Sequence, residues 1–295
     1  MQRSADDAPI AEEAAPAKAG RASMAKAAEA LVRSGGGTLA WEGATLASHF
    51  QPVLAVRGPA CHGYEALLRA TGGDGERIAP AELFHRAADE RPVLDWACRA
   101  LHLRNYARFE PEERTLFLNL HPQAAAHDAR CARELGELVR YYGLQPRRVC
   151  VELIAGECGD ERALVEAVSI YRDLGIGIAI DDFGKGRSNF DRVLALRPDV
   201  VKVDRALVMD AELGWGRSRR MLSGMVELLH EIRARVVVSG IETAAEARVA
   251  IDAGADFVQG FHFGAPGAGP ADEAAAVARL AEVLRVRTRH GLATT

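Results

Sequence analysis

The sequence predicts an α/β protein whose main domain is a (β/α)8 TIM-like barrel with an antiparallel first strand. Short apolar or β-branched runs alternate with longer stretches of helical periodicity along most of the chain. Several of the helical stretches end in a glycine that suits a helix C-cap, at Gly143, Gly175 and Gly254. This alternation is typical of βα units in a mainly parallel sheet, and eight such units close a barrel.

Eight runs are predicted to form the strands. They are HFQPVLAV (49–56), CHGYEALLRA (61–70), RTLFLNLH (114–121), RRVCVELI (147–154), GIGIAIDDF (175–183), DVVKVDRA (199–206), RVVVSGIE (235–242) and ADFVQGFHF (255–263). The segment RGPA between the first two runs is too short for a helical crossover, so these strands should pair as an antiparallel hairpin. A doubly wound open sheet is the alternative, but no glycine-rich GxGxxG turn follows an early strand. The barrel is therefore favoured.

The stretches between the strands are predicted helices. They include PAELFHRAADERPVLDWACRALHLRNYA (80–107), QAAAHDARCARELGELVRYYG (123–143), DERALVEAVSIYRDLG (160–175), SRRMLSGMVELLHEIRA (218–234) and TAAEARVAIDAG (243–254). Three segments follow from this pattern. Residues 1–44 form a flexible or helical N-terminal extension with a candidate helix at ASMAKAAEALVRS, residues 45–267 form the barrel, and residues 268–295 form a C-terminal helix and tail.

The composition is that of an ordinary globular protein, with 48% apolar and 26% charged residues in a chain of 295. A formal net charge of -4 gives no bulk basic field for DNA or RNA, and the short basic stretches RYYGLQPRR and GRSRR are interpreted as solvated faces. No apolar stretch approaches the ~20 residues that span a bilayer, and the N-terminus lacks a secretory apolar segment. Five cysteines without CxxC spacing are typical of reduced thiols, so the expected localisation is cytoplasmic.

Polar residues stand at the ends of the predicted strands. They are Glu65, Asn119, Glu152, Asp181, Asp182, Lys202, Asp204, Glu242 and Gln259. Because the carboxyl ends of barrel strands meet at one mouth, these side chains should converge. Such oxygen ligands suit Mg²⁺ or Mn²⁺, and an adjacent Asp pair lets one carboxylate bridge two metal ions for in-line phosphoryl displacement. Taken singly, a strand-end carboxylate is more often a helix cap or half of a salt bridge, and Lys202 could simply pair with Asp204.

Eight ordered motifs resemble the EAL family, which hydrolyses the bacterial second messenger cyclic di-GMP to the linear dinucleotide pGpG. They are FQPV (50–53), YEALLR (64–69), LNL (118–120), VELI (151–154), IAIDDFGKG (178–186), VKVD (201–204), GIET (240–243) and DFVQGFHFG (256–264). The resemblance covers about residues 45–267. It implies a (β/α)8-type barrel with one antiparallel strand, in agreement with the predicted hairpin.

The resemblance also implies roles for the polar residues. Glu65, Asn119, Glu152 and Asp181 would hold one metal ion, and Asp181 with Asp182 a second. Lys202 would orient the hydrolytic water or the phosphate, while Glu242, Asp204 and Gln259 would support these groups. Gln51 and Arg69 would contact the nucleotide, Arg69 through its phosphates. The expected catalytic residues are thus Lys202, Glu242 and Asp182, and the expected cofactor is Mg²⁺ or Mn²⁺.

Three positions depart from the family pattern. Ser239 stands where the family usually has a glutamate that binds metal and takes part in catalysis. Ala155 stands where a glutamate usually steadies the loop after the Asp pair, and Glu157 nearby is a partial substitute. Lys185 replaces a threonine, and is interpreted as a solvated side chain rather than a phosphate contact. Without a glutamate at position 239, the site would hold one metal ion or none.

Three hypotheses follow. The first is a cyclic di-GMP-binding signalling protein with weak or lost hydrolysis, the second is an active metal-dependent phosphodiesterase, and the third is a protein-interaction module that no longer binds nucleotide. The third is disfavoured because the residues that would bind ligand and metal are nearly all present. The resemblance also admits a homodimer through helices beside the site and a regulatory protein partner.

Overall fold

The computed structural model describes residues 37–87, 90–109, 113–120, 129–154, 161–185, 190–213, 216–269 and 272–291. Within these ranges the strands are β1 (Thr38–Trp41), β2 (Ala44–Ala55), β3 (Ala60–Gly72), β4 (Arg77–Ile78), β5 (Thr115–Leu120), β6 (Val149–Ile154), β7 (Gly177–Phe183), β8 (Val200–Val203), β9 (Arg235–Val238) and β10 (Phe257–Gln259). The candidate helix predicted at 22–34 lies outside the described residues.

The described strands close into a barrel. The order around it is β2, β3, β5, β6, β7, β8, β9 and β10, and β10 returns to β2. Strand β2 is antiparallel to both of its barrel neighbours, whereas the other neighbouring strands are parallel. The predicted barrel and its antiparallel first strand are therefore confirmed. The short strands β1 and β4, which were not predicted, extend the β2–β3 hairpin at its edges.

The helices follow the strands around the outside. They are α1 (Pro80–Arg86), α2 (Arg91–Ala107), α3 (Ala129–Tyr141), α4 (Glu161–Asp173), α5 (Phe190–Leu196), α6 (Arg205–Leu213), α7 (Arg217–Glu231), α8 (Ala244–Asp252) and α9 (Glu273–Gly291). The stretch at 80–107 was predicted as one helix and is divided into α1 and α2. Pro92 explains the division, because proline fits the first turn of a helix and disrupts its interior.

The core has separate layers inside and outside the barrel. One cluster fills the barrel interior: Val53, Phe117, Cys150, Ala179, Val200, Val237 and Phe257. A larger cluster lies between the outer face of the sheet and the helices. Cys61, Cys98, Cys131 and Cys150 are buried free thiols. In the part of the chain that the structure describes, no helix has the length and apolar character needed to cross a membrane.

Gly63 sets the spacing between β3 and β5. It occupies the position in β3 that corresponds to the interior apolar residues of the other strands, opposite Thr115. A Cβ atom at Gly63 would lie 2.0 Å from the carbonyl oxygen of Thr115. The two strands can approach this closely only because the side chain is absent.

Replacement of Gly63 by alanine is expected to destabilise the barrel by about 1–3 kcal/mol, because the new methyl group would force the paired backbones of β3 and β5 apart. Urea denaturation would measure the free energy of unfolding. Gly224→Ala is the matched control, because nothing lies within 4 Å of a Cβ atom at Gly224 in α7. That variant should be neutral or stabilised by about 1 kcal/mol, as for glycine within a helix. Equal stability of the two variants would contradict the close-contact argument.

Candidate active site

A ring of polar residues lies immediately above the interior apolar layer. Side chains alternate between the two faces of a strand, so the residue two positions nearer the mouth points into the barrel again. These residues are Gln51, Glu65, Asn119, Glu152, Asp181, Lys202, Ser239 and Gln259, one for each barrel strand, and we call them the polar ring. On β2, which runs in the opposite direction, the step is two residues backwards. The strand alternation alone therefore brings this set together.

Lys202 lies among three carboxylates of the polar ring. Its Nζ atom is 2.8 Å from Glu65, 2.8 Å from Glu152 and 3.7 Å from Asp181. Lys202 is only 2% exposed. Burial alone would lower the pKa of this ammonium group, but the carboxylates Asp181, Glu152 and Glu65 raise the pKa well above its ordinary value. The three carboxylates therefore favour the charged form of Lys202 despite its burial.

Glu65 is also bound by two amides. Its carboxylate accepts hydrogen bonds from Asn119 Nδ2 at 3.1 Å and from Gln259 Nε2 at 2.6 Å. The same Gln259 nitrogen lies 3.2 Å from Gln51 Oε1, and Gln51 Nε2 donates to the carbonyl of Gly264 at 3.1 Å. These bonds join β2, β3, β5 and β10 across the mouth. Glu65 is consequently held in one position by three donors.

The three carboxylates differ in their protonation behaviour. Burial alone would raise the pKa of Glu65, but Lys202 and the amide donors lower it. Burial and the charge of Glu65 raise the pKa of Glu152 well above its usual range. Burial also raises the pKa of Asp181. One ammonium group is too little positive charge for three buried carboxylates, so a further cation or a proton must compensate them.

Asp182 has a backbone conformation that few residues adopt. Its φ angle is 56°, in the left-handed region, and the pairing of β7 with β8 shifts between Ile180 and Phe183. Its backbone N–H donates to Asp181 Oδ1 at 2.8 Å. Neighbouring residues in a regular strand point to opposite faces, so this distortion interrupts the alternation at the Asp pair. Asp182 Oδ2 lies 3.3 Å from Nζ of Lys185, whose side chain is 64% exposed.

The polar ring fits a divalent cation. One carboxylate oxygen from each of Glu65, Glu152 and Asp181 lies within 4.8 Å of the others. Oε2 of Glu152 is buried and accepts no hydrogen bond from any residue in the described ranges. A buried carboxylate oxygen without a hydrogen-bond donor destabilises the folded protein unless a cation binds it. Oxygen donors of this kind suit Mg²⁺ or Mn²⁺.

Of the predicted site residues, Glu242, Asp204 and Arg69 lie apart from the three carboxylates. The side chain of Glu242 is 48% exposed and ion-paired with Arg205 at 2.7 Å. Asp204 Oδ1 accepts the backbone N–H of Ala206 at 2.8 Å, so it caps the start of α6 rather than pairing with Lys202. Ser239 Oγ donates to the carbonyl oxygen of Val203 at 3.2 Å. Arg69 is half-buried on β3, four residues beyond Glu65.

Arg205 and Glu246 form a supporting network that the sequence reasoning did not include. Arg205 contacts Glu246 at 2.7 Å as well as Glu242, and Glu246 Oε2 accepts the backbone N–H of Glu242 at 2.7 Å. Thr243 and Glu246 form a capping box at the start of α8. The spacing of a Thr and a Glu three residues later is the sequence signal that identifies this cap. Ala155 and Glu157 lie outside the described residues.

We compared the chain with protein-family models and with known proteins. The model of the EAL domain matches residues 38–266. The chain is 31% identical over 232 residues to an uncharacterised protein of Azorhizobium caulinodans, covering 74% of this chain and 31% of that protein. It is 24% identical over 218 residues to the probable cyclic di-GMP phosphodiesterase PdeB of Escherichia coli, covering 72% and 41%. The chain thus spans less than half the length of each of these relatives.

A solved structure is also similar to this chain. BlrP1 of Klebsiella pneumoniae, in complex with calcium and cyclic di-GMP, superposes with a TM-score of 0.68 at 26% identity. The match covers 75% of this chain and 56% of BlrP1. The likeness therefore covers three quarters of this chain.

Lys202→Met is expected to destabilise the metal-free protein by about 3–5 kcal/mol, because it leaves buried carboxylates without their cation. Urea denaturation in the presence of a chelator would measure this loss. Lys185→Met is the matched control, since the same charge is removed from an exposed pair and should change stability by less than about 0.5 kcal/mol. A stable Lys202→Met variant would show that the carboxylates do not need the ammonium group.

Proposed function

Because the chain belongs to the EAL domain family, we propose that it is a cyclic di-GMP-binding signalling protein in which hydrolysis to pGpG is weak or lost. The observation that carries the proposal is the composition of the polar ring. Seven of its eight positions keep a carboxylate, an amide or the buried lysine, and the position on the β9 side is Ser239. The seven retained positions support ligand binding, and the serine at position 239 argues against ordinary turnover.

Nucleotide contacts are assigned to the β2–β3 side of the mouth. Gln51 and Arg69 both belong to the hairpin formed by these antiparallel strands. Arg69 lies beyond Glu65 toward the mouth, and a guanidinium group recognises phosphate through two parallel hydrogen bonds. Gln51 is already linked to Gln259 and to the carbonyl of Gly264, so its orientation is fixed before ligand arrives.

Mg²⁺ or Mn²⁺ is the proposed cofactor. Glu65, Asn119, Glu152 and Asp181 would hold one ion, and Asp181 with Asp182 would offer oxygens to a second. A bound divalent cation polarises a phosphoryl oxygen and lowers the pKa of bound water. Lys202 would orient a phosphate oxygen or the water through its ammonium group. Gln259 would keep Glu65 aligned, while Glu242 would act from the side through Arg205.

Ser239 is the reason to expect slow chemistry. Its hydroxyl group donates to a backbone carbonyl and carries no negative charge, whereas a carboxylate at this place would add a strong cation ligand. Lys185 adds a second effect, because its ammonium group lies beside the Asp182 carboxylate that would serve the second ion. Both features reduce the affinity of the site for a second cation without removing the first.

Two measurements on the full chain separate the three hypotheses. Calorimetric titration with cyclic di-GMP reports binding, and product analysis in Mg²⁺ and in Mn²⁺ reports hydrolysis. Binding with very slow or no turnover in Mg²⁺ supports the proposal, even if Mn²⁺ permits detectable turnover. Ordinary phosphodiesterase turnover would establish the active enzyme instead. Absence of both would leave a protein-interaction module.

Arg69→Ala is expected to weaken cyclic di-GMP binding by about 1.5–3 kcal/mol, because a charge-assisted phosphate contact is lost. Titration calorimetry in Ca²⁺, the ion in the BlrP1 complex, would give the dissociation constant. Arg133→Ala, on the exposed surface of α3, is the control and should bind as the unmodified protein does. An unchanged dissociation constant for Arg69→Ala would remove this residue from the site.

Ser239→Glu is expected to raise the hydrolysis rate, since it restores one carboxylate to the polar ring. The loss of one preorganised group commonly costs on the order of 10²–10³ in rate, which sets the scale of the gain. Ser239→Gln is the matched control, with the same size and no charge, and should remain slow. Equal rates for the two variants would show that the charge at this position does not limit the reaction.

A further inference from the structure

A second concave site lies at the opposite end of the barrel from the polar ring. The cavity is about 340 Å³ in volume and opens between the starts of β5, β6, β7, β8 and β9. Its floor is apolar and includes Phe117, Val149, Ile176 and Val200. Phe117 and Val200 belong to the interior apolar layer, which separates this cavity from the mouth. The two sites therefore do not share side chains.

The cavity rim is positively charged. Arg147, Arg172 and Arg235 line it, and Asp199 is the one carboxylate among the described lining residues. Oδ2 of Asp199 accepts the backbone N–H of Ile178 at 2.8 Å, which occupies part of its hydrogen-bonding capacity. In the described part of the chain, no ion pair neutralises Arg147 or Arg235. The rim thus has a clear excess of cationic groups.

Two of the three arginines are held in place by the fold. Arg172 extends from the end of α4 and donates to the carbonyl oxygen of Leu196 at 2.5 Å. The guanidinium carbon of Arg235 lies 5.2 Å from the ring centroid of Phe257, within the range of a cation–π contact. Arg147 follows Pro146 in a short 3-10 turn that leads into β6. Groups held in this way lose little conformational freedom when they bind a ligand.

His62, which lies beside the cavity, is also affected by these positive charges. His62 stacks on Phe257, with ring centroids 4.2 Å apart, and lies beside Phe117. Burial lowers the pKa of His62 to about 4, with a further contribution from the positive charges of Arg235, Arg148 and Arg114. An imidazole that resists protonation in this way stays neutral at physiological pH. Among the described residues that line the cavity, the positive charge therefore comes from arginine side chains.

We propose that this cavity binds a small phosphorylated molecule between Arg147, Arg172 and Arg235. The planar guanidinium fork matches the geometry of phosphate oxygens, and three such groups around one opening suit a multiply charged anion. The volume lies at the lower end of small-molecule sites, which limits the ligand to about the size of a mononucleotide. The stretch RYYGLQPRR, interpreted from the sequence as a solvated face, supplies Arg147 to this rim.

Titration calorimetry of the full chain with inorganic pyrophosphate, in a chelator and at low salt, tests the proposal. Without divalent cations the mouth carries excess carboxylates and repels the anion, so binding reports the cavity. Arg147→Gln should weaken pyrophosphate binding about tenfold, because a charge-assisted contact is lost. Arg235→Gln, at the start of β9, is a second variant on a different element and should act in the same direction. Both should keep the melting temperature and cyclic di-GMP affinity of the unmodified protein.

Arg77→Gln is the matched control, an exposed arginine on β4 near the mouth, and should bind pyrophosphate normally. Arg69→Ala should also leave pyrophosphate binding unchanged. No detectable binding to the unmodified protein, or binding that survives both cavity substitutions, would overturn the proposal. Equal weakening by Arg77→Gln would overturn it as well, because it would indicate non-specific attraction to surface charge. None of these results bears on cyclic di-GMP binding at the mouth.

Discussion

The buried ammonium group of Lys202 is the interaction on which the mouth of the barrel depends. Three carboxylates from β3, β6 and β7 face the same small space, and the desolvation of each would be prohibitive without a nearby positive charge. Lys202 reaches all three because it occupies the inward position of β8 at the same level. The amides of Asn119 and Gln259 then fix Glu65, and this order leaves Glu152 as the carboxylate with an uncompleted oxygen. The mouth is therefore arranged around the ammonium group of Lys202, and the oxygen of Glu152 that lacks a donor could accept a further cation.

This arrangement explains how binding and chemistry can separate in one protein. In the proposed function, recognition of a dinucleotide would depend on groups fixed by the hairpin and by the amide network, and none of these groups lies on β9. Hydrolysis depends on how many cations the carboxylates can hold and where they lie. Ser239 stands at the β9 position, and its hydroxyl group donates to the backbone of β8. It therefore contributes no negative charge and no oxygen ligand as strong as a carboxylate. In the proposed function, this single neutral residue would reduce turnover while the remainder of the ring stays intact.

Much of this could be predicted from the sequence, because strand alternation determines both the barrel and the ring. A carboxylate that follows an apolar run does not always reach the mouth, and Glu242 is an example. Glu242 lies beyond the end of β9 and beyond Gly240, whose φ of 74° interrupts the extended backbone, and its side chain pairs with Arg205. Strand β1 was missed because four residues beside a glycine-rich stretch give too little periodicity. The arginine-lined cavity could not be predicted, since its three arginines come from segments that are distant in sequence and meet only through the sheet.

The antiparallel course of β2 has a consequence for how the protein folds. Strands β2 and β3 are joined by residues 56–59 and can pair early, because the loop between them is short. Strand β10 must reach β2 across most of the domain, and contacts of such long sequence separation form slowly. The bond from Gln259 to Glu65 joins residues 194 positions apart, and the contact between Gln259 and Gln51 joins residues 208 positions apart. The network at the mouth is therefore complete only when β10 pairs with β2, which ties the assembly of the polar ring to closure of the barrel.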